Sequence, residues 1–155
     1  MDSTDQQDDS FILFQLAGTT YAVSSAVVQQ IEMIDHITPV ANAAAFVDGV
    51  VFARGQVVPV INLRARFGFE RIANSTKTRL IVIAFEGRTI GLLVDAANEF
   101  ARLPTDAIKP PPEAITGLSS KYLSGVATVG DRLILVLQVG EALDFHHLEL
   151  PSNAG

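Results

Sequence analysis

Gly49 to Leu63 reads GVVFARGQVVPVINL, and this stretch decides the fold. Val50, Val51 and Phe52 run into Ala53-Arg54-Gly55-Gln56, and Val57, Val58, Val60 and Ile61 run out of it. Short runs of β-branched residues bounded by glycine predict two buried strands joined by a tight turn. Arg54 is a single long cation at the turn, followed by a residue free to bend the backbone. It either snorkels its charge from a strand end or is held out for a partner.

Outward from this hairpin the pattern stays β. FILFQL, Ala17-Gly18-Thr19-Thr20 and Tyr21-Ala22-Val23 predict a hairpin that starts at Phe11. Ser24-Ser25 caps a helical turn that passes into a strand through AVVQQIEMI, where Val28, Gln30 and Glu32 share a face at strand spacing. Ala41 to Phe46 is assigned a short helical turn. RARFGF is a short helix stopped by Gly68. RLIVIAF, Glu86-Gly87-Arg88 and TIGLLV form a second hairpin, and Asp95 to Leu103 is a helical turn or strand. KPPPEAITGLSS (109–120) is a rigid connector. YLSGVATV and RLILVLQV flank a Gly130-Asp131 turn, and 141–145 close the fold as a short helix.

The chain repeats itself. Ile12 to Ile31 can be laid on Ile81 to Phe100, so that Gly18 meets Gly87 and Tyr21 meets Ile90. Ala45 to Phe69 lies on Lys121 to Phe145 without a gap, so that Gly49 meets Gly125, Val60 meets Val136 and Phe69 meets Phe145. The second copy has an insertion, placed in the proline-rich connector. Two copies of about five short strands with glycine turns favour small barrels over an α/β sheet. Either copy alone has a marginal core, so the two are expected to pack on a shared one. Gly49 reads as a point of close backbone approach, and its mate Gly125 makes that role structural. Arg54 meets Gly130, an ordinary turn glycine, so the fold itself does not require an arginine there.

Composition bounds the rest. The 155 residues are 48% hydrophobic, contain no cysteine and carry a net charge of −6. Disulfides and thiolate chemistry are excluded, and the charge argues against a general nucleic-acid binder. No apolar run approaches the roughly 18 residues of a membrane-spanning helix, so a cytoplasmic protein without membrane insertion is expected. Residues 1–10 are read as a disordered acidic leader and 146–155 as a flexible tail. Between them lies one domain, 11–145, built from repeats at about 11–69 and 79–145 whose strands can be exchanged. Asp95 could be imagined as a catalytic acid beside His36 or His146, but a turn or cap role fits its position after an apolar strand better. His146-His147 lacks the further ligands a metal needs, and no metal or cofactor is expected.

FILFQLAGTTYAV, VDGVVFARGQVVPVINLR, IGLLVDAANEF and YLSGVATVGDRLILVLQV together resemble the CheW-type chemotaxis coupling proteins. The likeness runs from Phe11 to Phe145 and is most specific at Gly49, Val50, Arg54, Gly55, Pro59, Leu63 and Arg64, with Gly91 to Asp95 in support. It implies an all-β fold with a few short helices: two SH3-like five-stranded β-barrel subdomains around a shared hydrophobic core. It implies a non-enzymatic adaptor with no catalytic residues, found at membrane-associated receptor arrays. The partners would be the cytoplasmic tip of a methyl-accepting chemoreceptor and the regulatory domain of a CheA-type histidine kinase. Val28, Gln30, Ile31 and Arg54 would carry the contacts, with Gly49, Gly55, Pro59 and Gly125 as structural motif residues. Three positions depart from the usual pattern: Phe52 where Asn is common, Asn62 where Asp is usual, and Gln30 where many relatives have Glu.

Overall fold

Tight turns cut the apolar runs into hairpins. Ala17 and Gly18, and again Glu86 and Gly87, all have positive φ, the geometry that matches a two-residue turn to the twist of its strands. The computed structural model describes residues 10–34, 36–53, 55–111 and 122–143. The leader, most of the proline-rich connector, the tail with His146-His147, and Arg54 lie outside the described residues.

The first half contributes β1 (Ser10–Leu16), β2 (Thr19–Ser24), β3 (Val28–Met33), β4 (Val47–Ala53) and β5 (Gln56–Asn62). The second contributes β6 (Arg79–Phe85), β7 (Arg88–Val94), β8 (Ala96–Arg102), β9 (Leu123–Val129) and β10 (Arg132–Leu137). Ser10, assigned to the leader from sequence, already pairs with Arg102. The segment after Ser24 is one 3-10 turn, Ser25–Val27, and then a strand. Asp95 to Leu103 is resolved in favour of a strand, β8. Residues 41–46 form turns rather than a helix. Leu63–Arg66 is a single helical turn whose cap is Asn62, which accepts from the Ala65 N–H at 3.0 Å.

The two halves trade hairpins. One sheet has the order β8-β1-β2-β10-β9 and the other β3-β6-β7-β5-β4. The β1–β2 hairpin therefore completes the sheet of the second copy, and β6–β7 that of the first. Registers obey the repeat: Ile12 faces Phe100 as Ile81 faces Ile31, and Ala22 faces Val136 as Gly91 faces Val60.

Each sheet curls toward a barrel but does not close along its whole length. In the first barrel β4 is joined to the chain beyond β3 by one bridge, Thr38 with Val50; in the second, Lys109 bridges Val126. Gly49 and Gly125 sit beside these closures. A Cβ on Gly49 would lie 2.1 Å from the Thr38 carbonyl oxygen, and one on Gly125 would lie 2.6 Å from that of Lys109. Gly49 also has φ +146°, a backbone other residues rarely adopt.

The exchange buries the traded hairpins on both faces. Along β6, Leu80 and Val82 point into the first barrel while Ile81 and Ile83 join the core between the barrels. Along β1, Phe11 and Leu13 fill the second barrel while Phe14 and Leu16 join the shared core. Strands buried on both faces read as unbroken apolar runs, and each such side chain contributes about 1.5–3 kcal/mol. Phe14, Tyr21, Phe67 and Tyr122 form a ladder of rings through the shared core, with centroids 5.2–5.7 Å apart. The repeat mates Phe46 and Tyr122 both lie against the Arg66 guanidinium, at 4.6 and 5.0 Å.

Candidate partner-binding surface

The predicted contact residues Val28, Gln30 and Ile31 all fall on β3, an edge strand. Val28, Gln30 and Glu32 do not share the one face expected from strand spacing. Val28 faces Ile83 and Gln30 faces Val82, so one residue is skipped in a β-bulge. The bulge reverses the alternation. Val28 and Ile31 lie on the outer face with the shared core, and Gln30 turns to the barrel-interior side. Val28 packs on the core, whereas Ile31 and Met33 are exposed.

The β4–β5 hairpin projects beside β3. Arg54 lies outside the described residues; of its neighbours in sequence, Ala53 is buried and Gly55 is exposed with φ +79°. Phe52 and Val57 face each other across the hairpin, and Phe52 is 74% exposed. Pro59 faces Val50 in the same ladder. The sequence reading overlooked Phe52 and Val57, which look like core in an apolar run. The available signal was alternation: Val51 and Val58 face each other inward, so Phe52 and Val57 must face outward.

Open grooves flank the hairpin. One of about 420 Å³ runs between the ends of β3 and β4, lined among others by Glu32, Met33, His36 and Phe52. The other, of about 450 Å³, lies between β5 and the β6–β7 turn, with Val57, Pro59, Arg88 and Ile90 in its walls. The second barrel has its own exposed apolar side chains, Phe100, Val129 and Leu133. Phe100 is the repeat mate of Ile31, and Leu133 that of Val57. Each barrel thus exposes apolar side chains at equivalent positions of the repeat.

Asp95 is occupied structurally. Its carboxylate accepts from the Ala17 N–H at 2.9 Å and from both the Nε and a terminal nitrogen of Arg64 at 2.9 Å. Burial pushes its carboxyl up, but the Arg64 and Ala17 hydrogen bonds and the Arg64 charge outweigh this and hold it below the usual value. An acid held ionised by these contacts is a clamp between the barrels, with no proton to give. Among the described residues no group of three or more His, Asp or Glu could hold a metal ion. No helix of the described residues is long and apolar enough to cross a membrane.

Comparison with known proteins agrees with this geometry. A family model described as the CheW-like domain matches residues 10–145. Chemotaxis protein CheW of Klebsiella aerogenes is 31% identical over 143 residues, covering 92% of this chain and 86% of that one. The protein of the same name in Bacillus subtilis is 29% identical over 136 residues, covering 88% and 87%. The crystal structure of scaffolding protein TtCheW from Thermoanaerobacter tengcongensis superposes with a TM-score of 0.77 at 28% identity, covering 84% of this chain and 88% of that one.

Proposed function

The chain belongs to the CheW-like domain family, and from that membership we propose that it couples methyl-accepting chemoreceptors to a CheA-type histidine kinase. Proteins of this family are scaffolds of chemotaxis signalling rather than enzymes. A coupling protein has to hold two partners at once and release them. The observation that supports the reading is the repeat-related set of exposed apolar side chains, Ile31 and Val57 on one barrel and Phe100 and Leu133 on the other. Apolar patches of this kind suit reversible protein contacts. Val28, Gln30 and Arg54 adjoin the first patch in the chain and are assigned to the same contacts. The protein then works in the cytoplasm, at receptor arrays it reaches through its partners.

The test is a calorimetric titration with the regulatory domain of a CheA-type kinase from the same source, followed by addition of a chemoreceptor tip fragment. Wild type is expected to bind the kinase at micromolar level. Ile31→Glu and Phe100→Glu are each expected to lose one partner and keep the other. Arg54→Ala should weaken binding by about ten- to a hundredfold if its guanidinium is desolvated at the contact. Absence of binding to both partners overturns the coupling role. Kinase binding with no receptor binding replaces it with a kinase regulator of the same fold.

A further inference from the structure

Among the described residues the first barrel is laced by the Thr38–Val50 bridge, and beside it the groove between the ends of β3 and β4 reaches side chains of the barrel interior. Its floor is Ile34, Val51 and Leu80, which belong to the interior cluster. Met33 and Phe52 are its exposed lips.

The backbone of β4 faces the same gap. Ala53 and Gln56 close a two-residue loop, and hydrogen-bonded pairs alternate along an antiparallel ladder. Val51 with Val58 is therefore a bonded pair, while Val50 and Phe52 turn their N–H and C=O away from β5. Val50 behaves accordingly, since Thr38 takes both of its groups at 2.8 and 2.9 Å. One step along the strand, Phe52 points the same two groups into the groove. Pro59, which lacks an N–H, faces Val50 at a position that needs none from it.

The second barrel differs at this place. Its chain from Phe100 to Lys109 is longer than the matching chain from Ile31 to Thr38. It folds into the 3-10 turn Thr105–Ala107, with Leu103 buried in the interior cluster and Ile108 packed against it, whereas the first barrel's matching Ile34 and Ile37 are both only partly buried against theirs. Charge gives the remaining clue. Glu32 lines the groove, and its carboxylate has no ion-pair partner among the described residues.

We propose that this groove is a strand-accepting site for an extended segment of a partner protein, apolar at alternate positions and carrying a lysine or arginine. The segment continues the Thr38–Val50 bridge by pairing with the Phe52 backbone. It lays one row of side chains on Ile34, Val51 and Leu80 and brings its cation to Glu32. A helix does not answer these features, because its backbone groups are already spent on one another. The inference stands independently of the chemotaxis reading.

The probe is an acetylated and amidated hexapeptide of alternating valine and lysine, titrated into the full chain while backbone amides are followed by NMR. The Phe52 amide is expected to shift and to exchange at least tenfold more slowly at saturation. Phe52→Pro removes that donor at an outward-facing edge position and should weaken binding at least tenfold, while Phe52→Ala keeps most of it. Glu32→Gln should weaken this peptide but not its valine-serine counterpart. An unprotected Phe52 amide, undiminished binding by Phe52→Pro, or no binding of the peptide overturns the proposal. Should Phe52→Pro not fold, amide protection in wild type decides alone.

Discussion

Gly49→Ala tests the closure of the first barrel. The added methyl would sit 2.1 Å from the Thr38 carbonyl oxygen and 3.0 Å from the Ile37 side chain, and the first of these is a backbone atom that cannot rotate away. The Thr38–Val50 bridge must open, at about 1 kcal/mol for each of its two hydrogen bonds. Holding alanine at φ +146° adds about 1–3 kcal/mol. The sum, about 3–5 kcal/mol, is a large part of the 5–15 kcal/mol typical of a domain. Gly55→Ala is the control. It also has positive φ but nothing within 4 Å of the added carbon, so only the conformational cost of about 1–2 kcal/mol applies. Urea unfolding followed by circular dichroism gives both numbers. Gly125→Ala, where the clash is with Lys109 and Ile108 but φ is not positive, should fall between the two. If Gly49→Ala costs no more than Gly55→Ala, the glycine is not there to admit Thr38 and the closure argument fails.

Asp95 and Asn62 give two further expectations. Because the Asp95 carboxyl is held below its ordinary value, its stabilising contribution is present above the unfolded value of about 4 and lost as pH falls through the lowered one. Asp95→Asn should therefore cost about 1–2 kcal/mol at neutral pH and less in acid, flattening the acid limb of a plot of urea midpoint against pH. Asn62→Asp keeps the cap on Ala65. It removes the Nδ2 donor that Asp48 accepts at 2.9 Å and sets two carboxylates together, with Arg71 the nearby cation. A loss of about 1 kcal/mol at neutral pH that fades on acidification is expected, and unchanged thermal unfolding would show that Arg71 absorbs the charge.

The strands, their turns and the repeat were legible in the sequence because alternation and turn chemistry are local. Each strand needs only its own residues to show period two, and each turn only its glycine. The matching of Gly49 to Gly125 likewise needed no structure, since both copies solve the same closure. The site was less legible. Phe52 looks like core in an apolar run, and only its outward place in the hairpin makes it surface. The bulge that parts Gln30 from Val28 leaves no mark in composition, because it depends on which strand lies beside β3.

Partner choice between strands came from the packed structure. Local pattern gives two equivalent sets of about five short strands, yet nothing local distinguishes a hairpin that completes its own copy from one that completes the other. Trading β1–β2 for β6–β7 buries both faces of those strands and adds a shared core between two small barrel interiors, a gain in buried apolar surface that exists only once both halves are present. The same crossing sets Arg64, at the end of one motif, against Asp95, at the end of another, and carries the β1–β2 turn to the Asp95 carboxylate. Their spacing along the chain is silent on that contact, because it is made by the parallel pairing of β5 with the exchanged strand β7.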